Sequence, residues 1–436
     1  MKTKGYIKIT TLLILLLLGG MYFLVPIIKN NIAVKNLTQT AAWIYTLEWD
    51  DQPNAFYTEL EGVLLLRNRK GLLAIDQNTG KELWRYIFLD KNFQNRVVVS
   101  APDIVCVWIA GLWNRVVRLD PLTGEEKWRH DNPKDIGEHS NIWINEGFVC
   151  TSESDYLGKD KTLEYIEYVE LLDMNAGNTF LSYKYRNHDK IDPNYYKKVD
   201  PKDDFDILTN PNNYNVEDMS YFFNEKLNRV NALGRVLLDT MTQKFYPART
   251  MRSFIKKDTL LFSIKESKID RSEYMYTIQT HQSDTNNSLI ATTAINSSYG
   301  MGSYEVGANQ VVQLKGNYLV FNDVYNEYEY GSWDDVNLCI YDWNKNKTIL
   351  RKNLTDKSSK NYHIHGNSMI YSPDKSKLVF YNLPNEEPED IYSKALSSMK
   401  IESVALDSKY AYIVLQEVPR QLYAFPLNEN GLLKLD

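Results

Sequence analysis

Short apolar runs separated by turn residues make up most of this chain. Ile104–Trp108, Lys409–Leu415 and Arg420–Phe425 are typical, and aromatic and β-branched residues dominate them. Runs of this length and composition predict buried or half-buried strands rather than helices. Further strand-like runs follow in the second half: Thr259–Lys265, Glu273–Thr280, Gln310–Leu314, Tyr318–Asn322, Asn337–Trp343, Thr348–Lys352 and the hairpin Met369–Phe380. We therefore predict one all-β domain over residues 41–436.

Two segments of the first half align residue for residue. One runs from Leu72 to Arg85 and the other from Val116 to Arg129, and they lie 44 positions apart. In each, an apolar run ends at an aspartate, then come a threonine, a glycine and a tryptophan. These positions are Asp76, Thr79, Gly80 and Trp84 in the first copy, and Asp120, Thr123, Gly124 and Trp128 in the second. This period is typical of one four-stranded propeller blade.

The repeated residues predict a tight turn followed by an interlocking strand. An aspartate carboxylate accepts hydrogen bonds from backbone N–H groups two residues on, and glycine tolerates positive φ. Tryptophan offers a large apolar plate for packing between sheets. A weaker third copy carries only Asp173 and Gly177, and about nine extra residues precede it. We place this insertion in the hairpin at residues 153–161.

The two clear copies resemble blades of the PQQ-like, quinoprotein-type β-propeller repeat family. The resemblance covers residues 43–185 and implies a β-propeller of four-stranded blades. Chain length favours eight blades, with seven as the alternative. The family includes PQQ-dependent dehydrogenases and non-catalytic envelope scaffolds, among them a lipoprotein subunit of the outer-membrane barrel assembly machinery. We interpret this chain as a non-catalytic, membrane-anchored member.

The segment around Trp43 and Tyr45 predicts how the ring closes. It echoes the strand that contains Trp84, but the strands that should precede it are missing. A ring has no exposed sheet edge if its N-terminal strand completes the last blade. We therefore predict that this strand pairs with the C-terminal strands Lys409–Leu415 and Arg420–Phe425.

Residues 186–245 interrupt the blade pattern and are predicted to be an insertion. Within it, the acidic stretch Asp200–Asp206 favours a solvated rim loop, with a calcium loop as the less favoured alternative. Apolar residues recur at helical spacing and favour an amphipathic helix between residues 216 and 245, namely Phe222, Phe223, Leu227, Val230, Leu233 and Leu237. A degenerate blade turn over Arg235–Phe245 is the open alternative.

One uncharged run, residues 9–28, is long enough to span a bilayer as a helix. Lys2, Lys4 and Lys8 precede it, and this basic bias predicts a cytoplasmic segment at 1–8 and a linker at 29–40. We predict a single-pass signal anchor in the cell membrane, with the bulk of the chain extracytoplasmic. A cleaved signal peptide is the rival interpretation.

The charge distribution argues against nucleic acid as a partner. The formal charge is −6, and five lysines within residues 1–35 leave −11 for the remainder. Phosphate backbones are bound by clustered Lys and Arg, which an acidic domain lacks. We therefore predict a protein or glycan partner in the cell envelope, besides the membrane itself.

Candidate catalytic chemistry is sparse. Enzymes of the resembled family typically place a disulfide of adjacent cysteines against the quinone, whereas Cys106, Cys150 and Cys339 are far apart. His363 and His365 share one face of a strand, but two ligands do not make a metal site. We predict no catalytic, cofactor-binding or metal-binding residue.

The resulting interpretation is a non-enzymatic binding or scaffold module. Two alternatives stay open. One is a PQQ- or metal-dependent enzyme acting on an alcohol or a polysaccharide. The other is a ligand-sensing ectodomain that works through a partner.

Overall fold

The computed structural model describes residues 39–187, 204–209, 230–297, 312–353, 362–389 and 400–427, with gaps of one to nine residues inside these ranges. Side chains are described chiefly in residues 39–131, 142–151, 168–184 and 362–427. The predicted membrane segment 9–28 and linker lie almost wholly outside the described residues. Within the described part of the chain, no helix is long and apolar enough to cross a bilayer.

The described residues form 32 strands in eight antiparallel sheets. Sheet 1 contains β2 (Ala55–Tyr57), β3 (Val63–Arg67), β4 (Gly71–Asp76) and β5 (Glu82–Ile87). Sheet 2 contains β6 (Arg96–Ser100), β7 (Ile104–Ile109), β8 (Arg115–Leu119) and β9 (Glu126–Asp131). Sheet 3 contains β10 (His139–Asn145), β11 (Phe148–Lys159), β12 (Thr162–Asp173), β13 (Thr179–Asn187) and β14 (Asp204–Thr209). Sheet 4 contains β15 (Val230–Leu233), β16 (Val236–Asp239) and β17 (Lys244–Pro247).

The remaining strands form four further sheets. Sheet 5 contains β18 (Ser253–Lys257), β19 (Leu260–Asp270), β20 (Glu273–Gln282) and β21 (Leu289–Ser297). Sheet 6 contains β22 (Val312–Lys315), β23 (Tyr318–Tyr325), β24 (Asp335–Asp342) and β25 (Lys347–Asn353). Sheet 7 contains β26 (Tyr362–His365), β27 (Ser368–Tyr371), β28 (Val379–Asn382) and β29 (Pro388–Glu389). Sheet 8 contains β30 (Ile401–Leu406), β31 (Tyr410–Leu415), β32 (Gln421–Pro426) and, at its edge, β1 (Trp43–Thr46).

The all-β prediction is confirmed, and six of the eight described sheets have the predicted four strands. In seven of the described sheets, each strand pairs with the next one along the chain. Such meanders need only short turns, which explains why turn residues punctuate the sequence so regularly. These sheets are the units that a propeller blade requires.

Successive sheets in the first part of the chain share cores. Sheets 1 to 6 belong to one compact unit and sheets 7 and 8 to another. In β7, Val105 and Val107 pack into a core shared with sheet 1, whereas Cys106 and Trp108 pack into a core shared with sheet 3. Because side chains alternate between faces, a strand covered on both sides must be apolar at every position. This double burial explains the continuous apolar run at Ile104–Trp108.

In the other unit, sheets 7 and 8 enclose a core of the same kind. Ile370 and Phe380 of sheet 7 pack with Val404, Ile413 and Phe425 of sheet 8, and all five are buried. The apolar runs predicted near the C-terminus are therefore core strands.

Sheet 8 is built from both ends of the described chain, as predicted. Trp43 lies opposite Ala424 and Tyr45 lies opposite Leu422 in the antiparallel pair of β1 and β32. The pairing extends beyond the strand, where Ala42 N–H donates to the Ala424 carbonyl over 2.8 Å. Trp43 also packs on Tyr412, with 5.8 Å between ring centroids. The pairing of the N-terminal strand with the C-terminal strands is confirmed.

The predicted insertion before the third repeat lengthens a hairpin. Strands β11 and β12 have 12 residues each and pair along their whole length, up to Lys159 opposite Thr162. Their neighbours are shorter, since β10 pairs only as far as Ser154 and β13 only as far as Tyr165. Residues 155–159 and 162–164 therefore extend beyond the described residues that pair with β10 and β13.

Two predictions within residues 186–245 are wrong. Residues 230–239 form β15 and β16 rather than a helix, and with β17 they make a three-stranded sheet. This is the degenerate blade turn that was the alternative. The predicted loop Asp200–Asp206 is wrong for residues 204–206, which belong to the fifth strand of sheet 3, Asp204–Thr209, and its residues 200–203 lie outside the described residues. Residues 210–229 lie outside the described residues, so the insertion as a whole stays a prediction.

Candidate functional site

The repeated aspartate organises the turn between the third and fourth strands of a sheet. Asp76 Oδ1 accepts hydrogen bonds from the N–H of Asn78 at 3.0 Å, the N–H of Thr79 at 2.7 Å and the Thr79 hydroxyl at 2.9 Å. The turn closes where Gly80 N–H donates to the Asp76 carbonyl over 2.9 Å, with φ of 68° at Gly80. The carboxylate and the glycine thus play the roles predicted for them.

The other two copies have the same geometry. Asp120 Oδ1 accepts from the N–H of Leu122 and of Thr123, at 2.9 and 3.0 Å. Asp173 Oδ1 accepts from the N–H of Asn175 and of Ala176, at 2.9 and 2.7 Å. The third copy keeps this turn without a threonine because the backbone donors do not depend on the side chain.

These hydrogen bonds favour the ionised carboxylate. At Asp76, partial burial alone raises the pKa, but the hydrogen bonds from Thr79 and Asn78 together outweigh it and lower the pKa. Asp120 is similar: burial raises its pKa, and bonds from Lys127, Thr123 and Leu122 lower it overall. Both carboxylates are turn acceptors rather than proton donors.

The repeated tryptophan joins one sheet to the next. Trp84 of β5 donates its Nε1–H to the Pro121 carbonyl of sheet 2 over 2.8 Å. Its ring lies so close to Gly124 that a Cβ built there would be 2.6 Å from Trp84 Cδ2. Glycine is required at position 124 for two reasons: a Cβ would clash with the Trp84 ring, and φ is +73°. Tryptophan and glycine therefore form a lock between sheets.

The same lock recurs one sheet further on. Trp128 Nε1–H donates to the Met174 carbonyl over 2.9 Å, and a Cβ on Gly177 would be 2.6 Å from the Trp128 ring. Arg118, nine-tenths buried, donates to the same Met174 carbonyl over 2.8 Å. The carbonyl that accepts the tryptophan is in both cases that of the residue after the aspartate.

A further copy of the turn escaped the sequence analysis. Asp342 Oδ1 accepts from the N–H of Asn344 at 2.9 Å and of Lys345 at 3.1 Å, between β24 and β25. Its signal was the apolar run Leu338–Tyr341 that ends at the aspartate. It was missed because the sequence has asparagine, Asn346, where the three recognised copies have glycine.

Cys106, Cys150 and His363 lie outside the repeat. The two cysteines are buried, and His363 is hydrogen-bonded to a neighbouring sheet. Cys106 and Cys150 are free and fully buried on different sheets, where burial raises the pKa of Cys106 to about 12 and also raises that of Cys150. They do not fit the adjacent-cysteine disulfide of quinone enzymes. His363 Nδ1 accepts a hydrogen bond from Leu406 N–H over 3.3 Å, which ties sheet 7 to sheet 8. Among the described residues, no group of three His, Cys, Asp or Glu is placed to hold a metal ion.

The solved structures compared with this chain below are distant likenesses. No family model and no curated protein matches the chain. A quinohemoprotein alcohol dehydrogenase from Comamonas testosteroni has a TM-score of 0.42 and 12% identity, with 90% of this chain and 77% of that chain covered. The computationally designed Ika8 protein has a TM-score of 0.39 and 9% identity, with coverage of 87% and 98%.

BamB from Moraxella catarrhalis has a TM-score of 0.32 and 11% identity, with 84% of this chain and 80% of that chain covered. Likenesses at this level do not establish shared ancestry or activity. The description of the fold therefore depends on the sheets and their locks.

Proposed function

We propose that this chain is a membrane-tethered, extracytoplasmic β-propeller that acts as a non-enzymatic protein-binding or scaffold module in the cell envelope. The eight described sheets are its blades in this proposal, and the N-terminal strand seals the ring within the last of them. The uncharged run 9–28 is the anchor. The resemblance of the repeats to quinoprotein blades, and not the distant structural likenesses, suggests the family.

The proposal depends on one observation: the polar side chains of the repeat are hydrogen-bonded to the backbone. The carboxylates of Asp76, Asp120 and Asp173 all accept backbone hydrogen bonds within their own turns. The indole N–H groups of Trp84 and Trp128 are held by backbone carbonyls of the next sheet. Groups engaged in this way stiffen a frame and are not available for acid–base chemistry. A rigid frame that presents edges and loops is suited to binding a partner.

A protein partner is favoured over a glycan by the apolar surface of sheet 1. Ile87 is 71% exposed on β5, although it belongs to a strand whose Trp84 is buried. Exposed aliphatic side chains at a sheet edge favour another polypeptide, which can bury them and pair with the backbone.

The decisive experiment is affinity capture with the full-length chain in membranes. We expect the same envelope proteins to be recovered reproducibly, and their recovery to fall when Gly124→Ala and Gly177→Ala together loosen the frame. An unfolded control, the chain reduced to residues 1–60, should recover none of them. The proposal is wrong if purified protein reduces an electron acceptor only after PQQ and Ca²⁺ are added.

Membrane topology has a separate test. Protease added outside intact cells with a permeable outer layer should digest residues 41–436 and leave a short fragment that contains residues 9–28. Protection of the whole chain from protease would contradict the extracytoplasmic placement.

A further inference from the structure

We draw no further inference here: the strongest candidate, the apolar outer edge of sheet 1 where β5 exposes Leu83 and Ile87, is a surface for which nothing in the described part of the structure shows what covers it.

Discussion

At Gly124, backbone and side-chain requirements for a residue without a Cβ coincide. The backbone has φ of +73°, and the Trp84 ring fills the space in which a Cβ would lie. Gly62 has the same φ of +73°, but a Cβ at that position would have no atom within 4 Å. The chain therefore provides a control in which only the backbone requirement applies.

We predict that Gly124→Ala destabilises the protein far more than Gly62→Ala. The left-handed backbone costs either variant about 1–2 kcal/mol. Overpacking against Trp84 adds roughly 1–3 kcal/mol at Gly124 alone. Thermal unfolding should show the lower midpoint for Gly124→Ala. Equal midpoints would contradict the tryptophan–glycine lock.

The Asp76 turn predicts a stability difference that depends on pH. A carboxyl group whose pKa is lowered by folding stabilises the fold above its unfolded pKa of about 3.9, and this contribution is lost as pH falls through the folded value. We expect Asp76→Asn to cost about 1 kcal/mol at pH 7 and progressively less as the pH falls through the lowered pKa of Asp76. Denaturant titrations at pH 7 and over a series of acidic pH values measure this.

Asp76→Ala is the matched variant for that experiment. It removes the acceptor of the turn hydrogen bonds at every pH, so its cost should persist in acid. If Asp76→Asn is equally destabilising at neutral pH and in acid, ionisation of Asp76 contributes nothing to stability.

Among the secondary-structure elements, the hairpin of β11 and β12 is unusual for the length of its tip. In the described part of the chain, residues 155–159 and 162–164 extend beyond the last residues that pair with β10 and β13. Replacing residues 155–164 with Asn-Gly leaves a four-residue turn between Ser154 and its partner Glu167. It also shortens the spacing between Asp120 and Asp173 from 53 to 45, close to the 44 of the first two repeats. We expect the thermal midpoint to fall by less than about 3 °C, since no described strand other than β11 and β12 pairs with the tip.

A larger loss in the shortened hairpin would mean that the tip contacts another part of the protein. As a control, the same Asn-Gly replacement of residues 150–169, which includes the buried Cys150 and Val169, should prevent folding.

Some structural elements could be predicted from sequence patterns alone. Asp76, Gly80 and Trp84 could be assigned because the turn is local and because a second copy repeats it. Trp43 could be assigned to the last sheet because the chain offered it no nearer partner strand.

The helix prediction for Val230, Leu233 and Leu237 was wrong because two strands of four residues can mimic helical spacing. Pairing of β16 with β15 and β17 favours strands over a helix. The addition of β14 to sheet 3 was missed for a similar reason: a strand that pairs across a long insertion leaves no local signal. The edge of β5 became apparent only from the exposure of Leu83 and Ile87 in the folded chain.

At the scale of the whole molecule, the first and last described strands pair in sheet 8. Without β1, the β32 edge and Tyr412 lose their covering strand and their contact with Trp43. We predict that a chain that begins at residue 49 unfolds at a lower temperature than one that begins at residue 36. Exposed edges of this kind also promote aggregation.

Adding back a peptide of residues 37–48 should restore the midpoint of the shortened chain, because the missing strand is contiguous and pairs through its own backbone. The same peptide with Trp43→Ala should restore it less well. Failure of the unaltered peptide to bind would show that β1 contributes no stability to sheet 8.

The meeting of the first and last strands also sets the order of events during biosynthesis. Strand β1 emerges from the ribosome before any other described strand, and its neighbour β32 is made after all the others. While the strands between them are made, β1 has no partner strand. A product released before β32, by a nonsense codon or a stalled ribosome, keeps β1 unpaired even where its other sheets have formed. An unpaired β1 therefore marks a chain that stops short of β32.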